Sequence, residues 1–208
     1  MSDIIFISGI DTDAGKTYAT AWLAKHLMKK GQRVITQKFI QTGNSGYSED
    51  IVKHRELMGT GLLPEDEDFT TAPIIFSYPA SAQLAARLDG KEINLDKVRQ
   101  SSAVLASRYD SVLVEGAGGL MVPVTDDYFT IDYVKDEKLP LALVTNGVLG
   151  SINHTILSLE AIKNRDITLR YLLYNTYFDN DKTIADDTRG FISRYLAKHF
   201  PESEMLVF

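Results

Sequence analysis

The sequence predicts an α/β fold, with a mostly parallel sheet covered by helices on both faces. Three observations carry that reading. Short apolar runs of strand length alternate with longer runs of helical periodicity. Polar and glycine-rich segments recur where the apolar runs stop, at 9–17, 38–46, 115–119, 145–151 and 175–181. The first apolar run leads directly into Gly9-Ile10-Asp11-Thr12-Asp13-Ala14-Gly15-Lys16-Thr17. Parallel strands are buried on both faces and so read as continuous apolar runs. Ligands of such sheets sit beyond the carboxyl ends of the strands.

Taken in order, Ile4 to Ile7 is a short strand. Ala19, Trp22, Leu23 and Leu27 recur at helical spacing across 16–30, and Gly31 is a stop signal. Arg33 to Lys38 is the second strand. A helix over 94–108 turns Leu95, Val98 and Leu105 inward. Ser111 to Val114 is a buried strand with Glu115 at its tip, followed by Gly116-Ala117-Gly118-Gly119. Leu139 to Thr145 is another strand, and Ile152, Ile156 and Leu159 mark the helix after it. Leu169 to Tyr174 is strand-like. Ile184, Phe191, Tyr195 and Leu196 mark a last helix, and Met205 to Phe208 forms a terminal strand. No repeat, low-complexity tract or linker interrupts the pattern, so 1–208 reads as a single domain.

Composition narrows the function classes. The 22 Lys and Arg against 28 Asp and Glu leave a net charge of −6, which argues against broad electrostatic binding of nucleic acid. There is no cysteine, so disulfides and cysteine zinc sites are excluded. The first residues lack a signal-peptide pattern, and no run approaches the ~18 apolar residues of a membrane span. A cytoplasmic protein without membrane partners is expected.

The glycine-containing loop points to phosphate. Gly9 and Gly15 permit a backbone that aims amide N–H groups at phosphate oxygens, and the helix opening at Lys16 adds its positive dipole end. In a P-loop, the lysine reaches the β- and γ-phosphates and the following hydroxyl, here Thr17, serves magnesium. Five residues separate Gly9 from Gly15, one more than the usual spacing. The chain is therefore read as an ATP-binding, P-loop NTPase-like phosphoryl-transfer enzyme. Glu115 is the expected second magnesium ligand, because it follows a buried strand and precedes a glycine run. Asp50 lies beside Glu49 at a helix start, where a capping charge is an equal reading. Lys38 can neutralise a transferring phosphoryl group, or it can be a solvated strand end. His26, His54, His154 and His199 show no metal-ligand spacing and are read as surface or helix-packing residues.

Together these segments resemble dethiobiotin synthetases. Residues 9–17 look like that family's five-spacer phosphate loop, and Lys38 to Gly43 like its Lys-Pro…Ser-Gly segment. Val114-Glu115-Gly116-Ala117-Gly118-Gly119 and Leu149-Gly150-Ser151-Ile152-Asn153-His154 look like two further family motifs. The resemblance implies a reaction of 7,8-diaminononanoate, CO2 and MgATP, through a carbamate and its mixed anhydride with phosphate. It also implies the roles of individual residues. Lys38, Lys16 and Thr12 would serve the chemistry, and Thr42 and Gly118 the substrate. Thr17, Asp50 and Glu115 would hold Mg2+. ATP would meet Asp13, Ala14, Gly15, Lys16, Thr17, Tyr18, Asp50, Glu115, Gly116, Ala117, Gly118, Asn175 and Thr176. Leu149, Gly150, Ser151 and Asn153 would come from the neighbouring subunit of a homodimer to bind the substrate's carboxylate tail.

The chain departs from the family's pattern in three places. Phe39 stands where proline is usual, and Thr42 where serine is usual. The segment after the last strand, which can help hold the base, looks truncated at Phe208, so only a modest preference for ATP is expected. Two other classes remain in view. A partition-type ATPase would carry an extra lysine where Asp11 stands, and a corrinoid amide-forming synthetase would carry a glutaminase cysteine, which is lacking.

Overall fold

The structure, a computed structural model, describes residues 2–208. Its elements run β1 (Asp3–Gly9), α1 (Lys16–Lys29), β2 (Val34–Lys38), β3 (Gln41–Thr42), α2 (Glu49–Met58), α3 (Pro64–Glu67) and β4 (Ile75–Phe76). They continue with α4 (Ala82–Leu88), α5 (Leu95–Arg108), β5 (Ser111–Gly119), α6 (Thr130–Asp136), β6 (Leu141–Asn146) and α7 (Ser151–Lys163). The chain closes with β7 (Leu169–Asn175), a 3-10 turn at Thr176–Phe178, α8 (Lys182–His199) and β8 (Glu204–Val207).

Six strands form one parallel sheet in the order β2-β5-β1-β6-β7-β8. β3 and β4 pair separately as a short parallel ladder. Alternation of side chains along β1 divides the core. Ile5 and Ile7 pack with Ala19, Leu23 and Leu27 of α1 on one face. Phe6 joins Val98, Leu105, Ile131, Leu159 and Ile192 on the other. Burial of both faces accounts for the apolar runs that announce the strands.

One expectation needs correction. Glu115 is not at the tip of its strand, because β5 continues to Gly119. The pairing of β1 with β5 shifts after Ile7↔Glu115 and resumes at Gly9↔Gly119, so the glycine run stays in the sheet through a bulge. At Gly116 a Cβ would lie 2.9 Å from the Phe6 ring, so close packing requires glycine there. On α8 the inward face is Ala185, Thr188, Ile192 and Leu196, whereas Ile184 and Phe191 are partly exposed. The apolar residues of that helix form two stripes, and only packing selects one. Phe39, in the usual proline position, is a core residue, stacking edge-on against Phe6 at 5.3 Å and lying 4.8 Å from Tyr133.

Candidate active site

The loop between β1 and α1 closes over the carboxyl edge of the sheet. Gly15 takes φ +92° and caps α1 without a side-chain hydrogen bond. The first-turn N–H groups of α1 are therefore turned toward the edge with no side-chain acceptor. A Cβ at Gly9 would come within 2.9 Å of Asp11 O, and one at Gly15 within 2.2 Å of Asn175 Nδ2. Lys16 is buried, with Nζ donating to Asp11 O at 3.0 Å and Thr12 O at 2.9 Å. Burial pushes its ammonium down to about 8, despite the opposing pull of Glu115. A polyanion entering here would restore the charge.

Beside the loop, three strand and helix ends deliver a compact ionic group. Lys38 ends β2, Glu115 lies opposite it on β5, and Asp50 sits in the first turn of α2, which Ser48 caps through Ile51 N–H. Lys38 Nζ lies 2.5 Å from Asp50 Oδ2, 2.8 Å from Glu115 Oε1 and 3.2 Å from Gly116 O. Thr17 Oγ1 lies 3.1 Å from Asp50 Oδ1 and 3.2 Å from Glu115 Oε1. Burial works against the charge of both Lys38 and Glu115. Their mutual attraction prevails, raising the lysine and holding the carboxylate well below its usual range, with His54 assisting at Glu115. Two carboxylates that meet at the Thr17 hydroxyl, beside the buried ammonium, make a donor set suited to a hard divalent ion. Asp50, which capping could have explained, points into this group, and Lys38 is 5% exposed and not a solvated strand end.

These residues line a cavity of about 820 Å³. Thr12, Asp13, Gly15, Lys16, Thr17 and Tyr18 line it, with Lys38, Thr42 and Asp50. Glu115, Ala117, Gly118, Asn175 and Thr176 line it as well. Ala14 and Gly116 lie just behind the surface. Ala14 O accepts from Asn175 Nδ2 at 3.2 Å, and Gly116 O accepts from Lys38.

Some expected residues lie elsewhere. Leu149, Gly150, Ser151 and Asn153 are at the start of α7 and do not line the cavity. Leu149 is 85% exposed, whereas Ser151 is buried and donates from Oγ to Asn146 O at 2.7 Å. Asn175 is already engaged at both ends of its amide, to Ala14 O and from Tyr177 N. One N–H and one lone pair are left for a ligand.

The cavity also holds residues that sequence reasoning missed. Ile40, Gln41, Tyr177, Phe178 and Phe208 line it. Phe208, which follows β8, is held in place by the far edge of the sheet. β8 pairs with β7, and Thr176 donates to Phe208 O from both N and Oγ1, which brings the ring to the cavity wall. His54, read as surface or helix packing, is fully buried and lies 2.7 Å from Glu115. Its spacing of four from Asp50 on a helix was the available signal.

Comparison with known proteins agrees with this geometry. A family model described as an AAA domain matches residues 3–199. The Haemophilus ducreyi protein named ATP-dependent dethiobiotin synthetase BioD 2 is 50% identical over 207 residues, covering 100% of this chain and 98% of that protein. A Chlorobaculum tepidum protein named ATP-dependent dethiobiotin synthetase BioD is 48% identical over 196 residues, covering 94% of this chain and 82% of its own length. Among solved structures, a ParA family ATPase from Chlorobium tepidum superposes with a TM-score of 0.55 at 17% identity, across 100% of this chain and 85% of that one. The MinC:MinD cell division complex of Aquifex aeolicus gives 0.56 at 15%, covering 98% and 79%. The solved structures share the fold alone, whereas identity near one half over nearly the full length places this chain in the dethiobiotin synthetase family of P-loop enzymes.

Proposed function

We propose that the chain, acting as one cytoplasmic domain, uses MgATP to carboxylate 7,8-diaminononanoate with CO2 and close the ureido ring of dethiobiotin. The observation that carries this is the meeting of Lys16, Lys38, Thr17, Asp50 and Glu115 in one cavity, with Thr12 and Thr42 on its walls. One amine adds to CO2 and loses a proton, giving a carbamate. A carbamate oxygen attacks the γ-phosphorus and ADP leaves. The second amine then attacks the carbonyl carbon, phosphate departs, and the ring nitrogen loses its proton.

Both nucleophile and phosphate donor are anionic in the phosphoryl step, so charge neutralisation and in-line placement are the main tasks. The amides of the loop and Lys16 bind the phosphates. Lys38, kept protonated by its two acids, faces the transferring group. Thr12 and Thr42 place hydroxyls at the reacting end of the diamine. Asn175 and Thr176, with Phe208 and Tyr177 beside them, form the base end. Thr17, Asp50 and Glu115 would hold Mg2+, which when bound would neutralise phosphate charge.

The substrate's carboxylate tail needs a second anion site. The glycine turn at Leu149, Gly150, Ser151 and Asn153 supplies one when offered by the neighbouring subunit of a homodimer. Its outward aspect in a single chain supports that arrangement.

The reaction is tested by measuring ADP release with and without the diamine and bicarbonate, with product identified by mass spectrometry. ADP release that requires both and yields dethiobiotin is expected. Release that ignores the diamine, or that responds to DNA, overturns the assignment.

A further inference from the structure

Behind Glu115, on the side away from the cavity, runs a buried polar chain that the proposed chemistry does not use. His54 Nε2 lies 2.7 Å from Glu115 Oε2, and its Nδ1 lies 3.1 Å from Thr36 Oγ1. Thr36 Oγ1 also accepts from Arg55 Nη1 at 2.8 Å. Arg55 is itself held by both oxygens of Asp66, each at 2.8 Å. His54, Arg55, Thr36 and Asp66 are all buried.

The donor inventory orients these protons. A guanidinium only donates, so Arg55 occupies a lone pair of Thr36 Oγ1. Among the described residues, His54 Nδ1 is then the one partner able to accept the Thr36 hydroxyl proton. An N–H at Nδ1 would strand that proton in a buried site, which is costly. Nδ1 therefore accepts, and Nε2–H donates to Glu115. With Oε2 of Glu115 held from behind, Oε1 alone is turned to Lys38 at 2.8 Å and Thr17 at 3.2 Å.

We propose that His54, itself oriented by Thr36, is a positioning residue that locks the rotation of the Glu115 carboxylate and presents one oxygen to the divalent cation. The proposal rests on the reading of Thr17, Asp50 and Glu115 as the cation's ligands. Groups behind a ligand fix its orientation, and their loss typically weakens metal binding ~10–100-fold.

The test titrates Mn2+, a spectroscopic stand-in for Mg2+, into the full-length protein with ADP present, followed by electron paramagnetic resonance. His54→Leu should weaken Mn2+ binding by about tenfold or more. His54→Gln, whose amide N–H can donate to the same oxygen, should recover most of it. Thr36→Val should weaken it by a smaller factor. Nitrogen NMR of the metal-free protein, labelled in histidine, should show His54 as the Nε2–H tautomer. Should His54→Leu fail to fold, Thr36→Val and the tautomer decide the matter. An Nδ1–H tautomer, unchanged Mn2+ binding in both His54→Leu and Thr36→Val, or loss in His54→Leu that His54→Gln does not recover overturns the positioning role. Glu115→Gln separates the two claims: if it too leaves Mn2+ binding intact, the ligand reading itself has failed.

Discussion

Two neighbouring strands, β1 and β6, each end in a turn that hands the chain to a helix through a left-handed glycine. Gly15 caps α1 with φ +92°, and Gly150 caps α7 with φ +99°. Neither cap uses a side chain, so first-turn N–H groups lack a side-chain acceptor at both, although Ser151 N–H donates to Val148 O, and both present the positive end of a helix dipole. Their surroundings differ. Gly15 is roofed by Asn175 and lies beside the Lys38–Asp50–Glu115 group, whereas a Cβ at Gly150 would meet nothing within 4 Å. Val148 and Leu149 beside it are 45% and 85% exposed. The same backbone device thus makes an enclosed cradle where the chain supplies walls and counter-charges. Where it does not, the device stays open and apolar-rimmed, in keeping with the proposal that a second subunit completes it.

The largest effect should come from the enclosed side. Lys38→Ala or Lys16→Ala should lower turnover by about a hundredfold or more, since one lost transition-state stabiliser typically costs ~3–4 kcal/mol. Single-turnover ADP release in variants with native circular dichroism checks this. A wild-type rate for folded Lys38→Ala would remove that residue from the chemistry.

Substituting the two glycines makes the contrast sharper. Alanine at either position meets the same φ penalty of roughly 1 kcal/mol, but only at Gly15 does it also run into Asn175. Calorimetry should find ATP binding weakened more than tenfold by Gly15→Ala (~1.4 kcal/mol or more) and changed by no more than about twofold (~0.4 kcal/mol) by Gly150→Ala. Equal losses at both sites would erase the distinction between the turns.

A smaller, conditional effect is expected at the open turn. Leu149→Asp leaves the core untouched, yet should raise the KM for the diamine several-fold while the ATP affinity holds. Mixed with Lys38→Ala under subunit exchange, it should recover up to about a quarter of wild-type activity. Half the dimers would then be mixed, and each would carry one whole site. An active monomer in sedimentation, or no recovery despite proven exchange, refutes the shared site.

The smallest effect on turnover belongs to Asp66, which does not line the cavity and whose consequence is acid stability. Burial opposes its charge, but hydrogen bonds from Arg55 and from the Leu63 N–H hold its carboxyl below the usual value. A depressed folded pKa contributes stability above the unfolded value of about 4, and that contribution is lost as pH falls through the folded one. Thermal melts from pH 6 to pH 3 should therefore show a steeper acid decline in wild type than in Asp66→Asn. Parallel curves would mean that the pair with Arg55 gives no acid sensitivity.

Much of the site was legible because its central piece is contiguous. Gly15-Lys16-Thr17 works through its own backbone, so local order is enough to read it. Glu115 was legible from the buried run before it, although its strand proved longer. Lys38 and Asp50 stayed ambiguous, because a strand-end lysine and a helix-start acid have ordinary explanations until the pair is seen 2.5 Å apart. His54 was missed since a helical histidine carries no sign of what lies behind it. Phe208 was missed since its place depends on β8 joining the far edge of the sheet.

Apolar periodicity and glycine placement alone determined the alternating elements and the phosphate loop, and short motifs carried the family resemblance. Each is written within a dozen or so neighbouring residues, where local sterics and hydrophobic burial act directly. The tertiary structure decided which face of α8 turns inward, how β5 passes its glycines, and which side chains meet at Glu115. Those outcomes depend on residues far apart in the chain, such as Lys38 and Glu115, whose separation is 77 positions. Packing of β2 beside β5 and of α2 across their ends brings such groups together, and no local pattern encodes that packing.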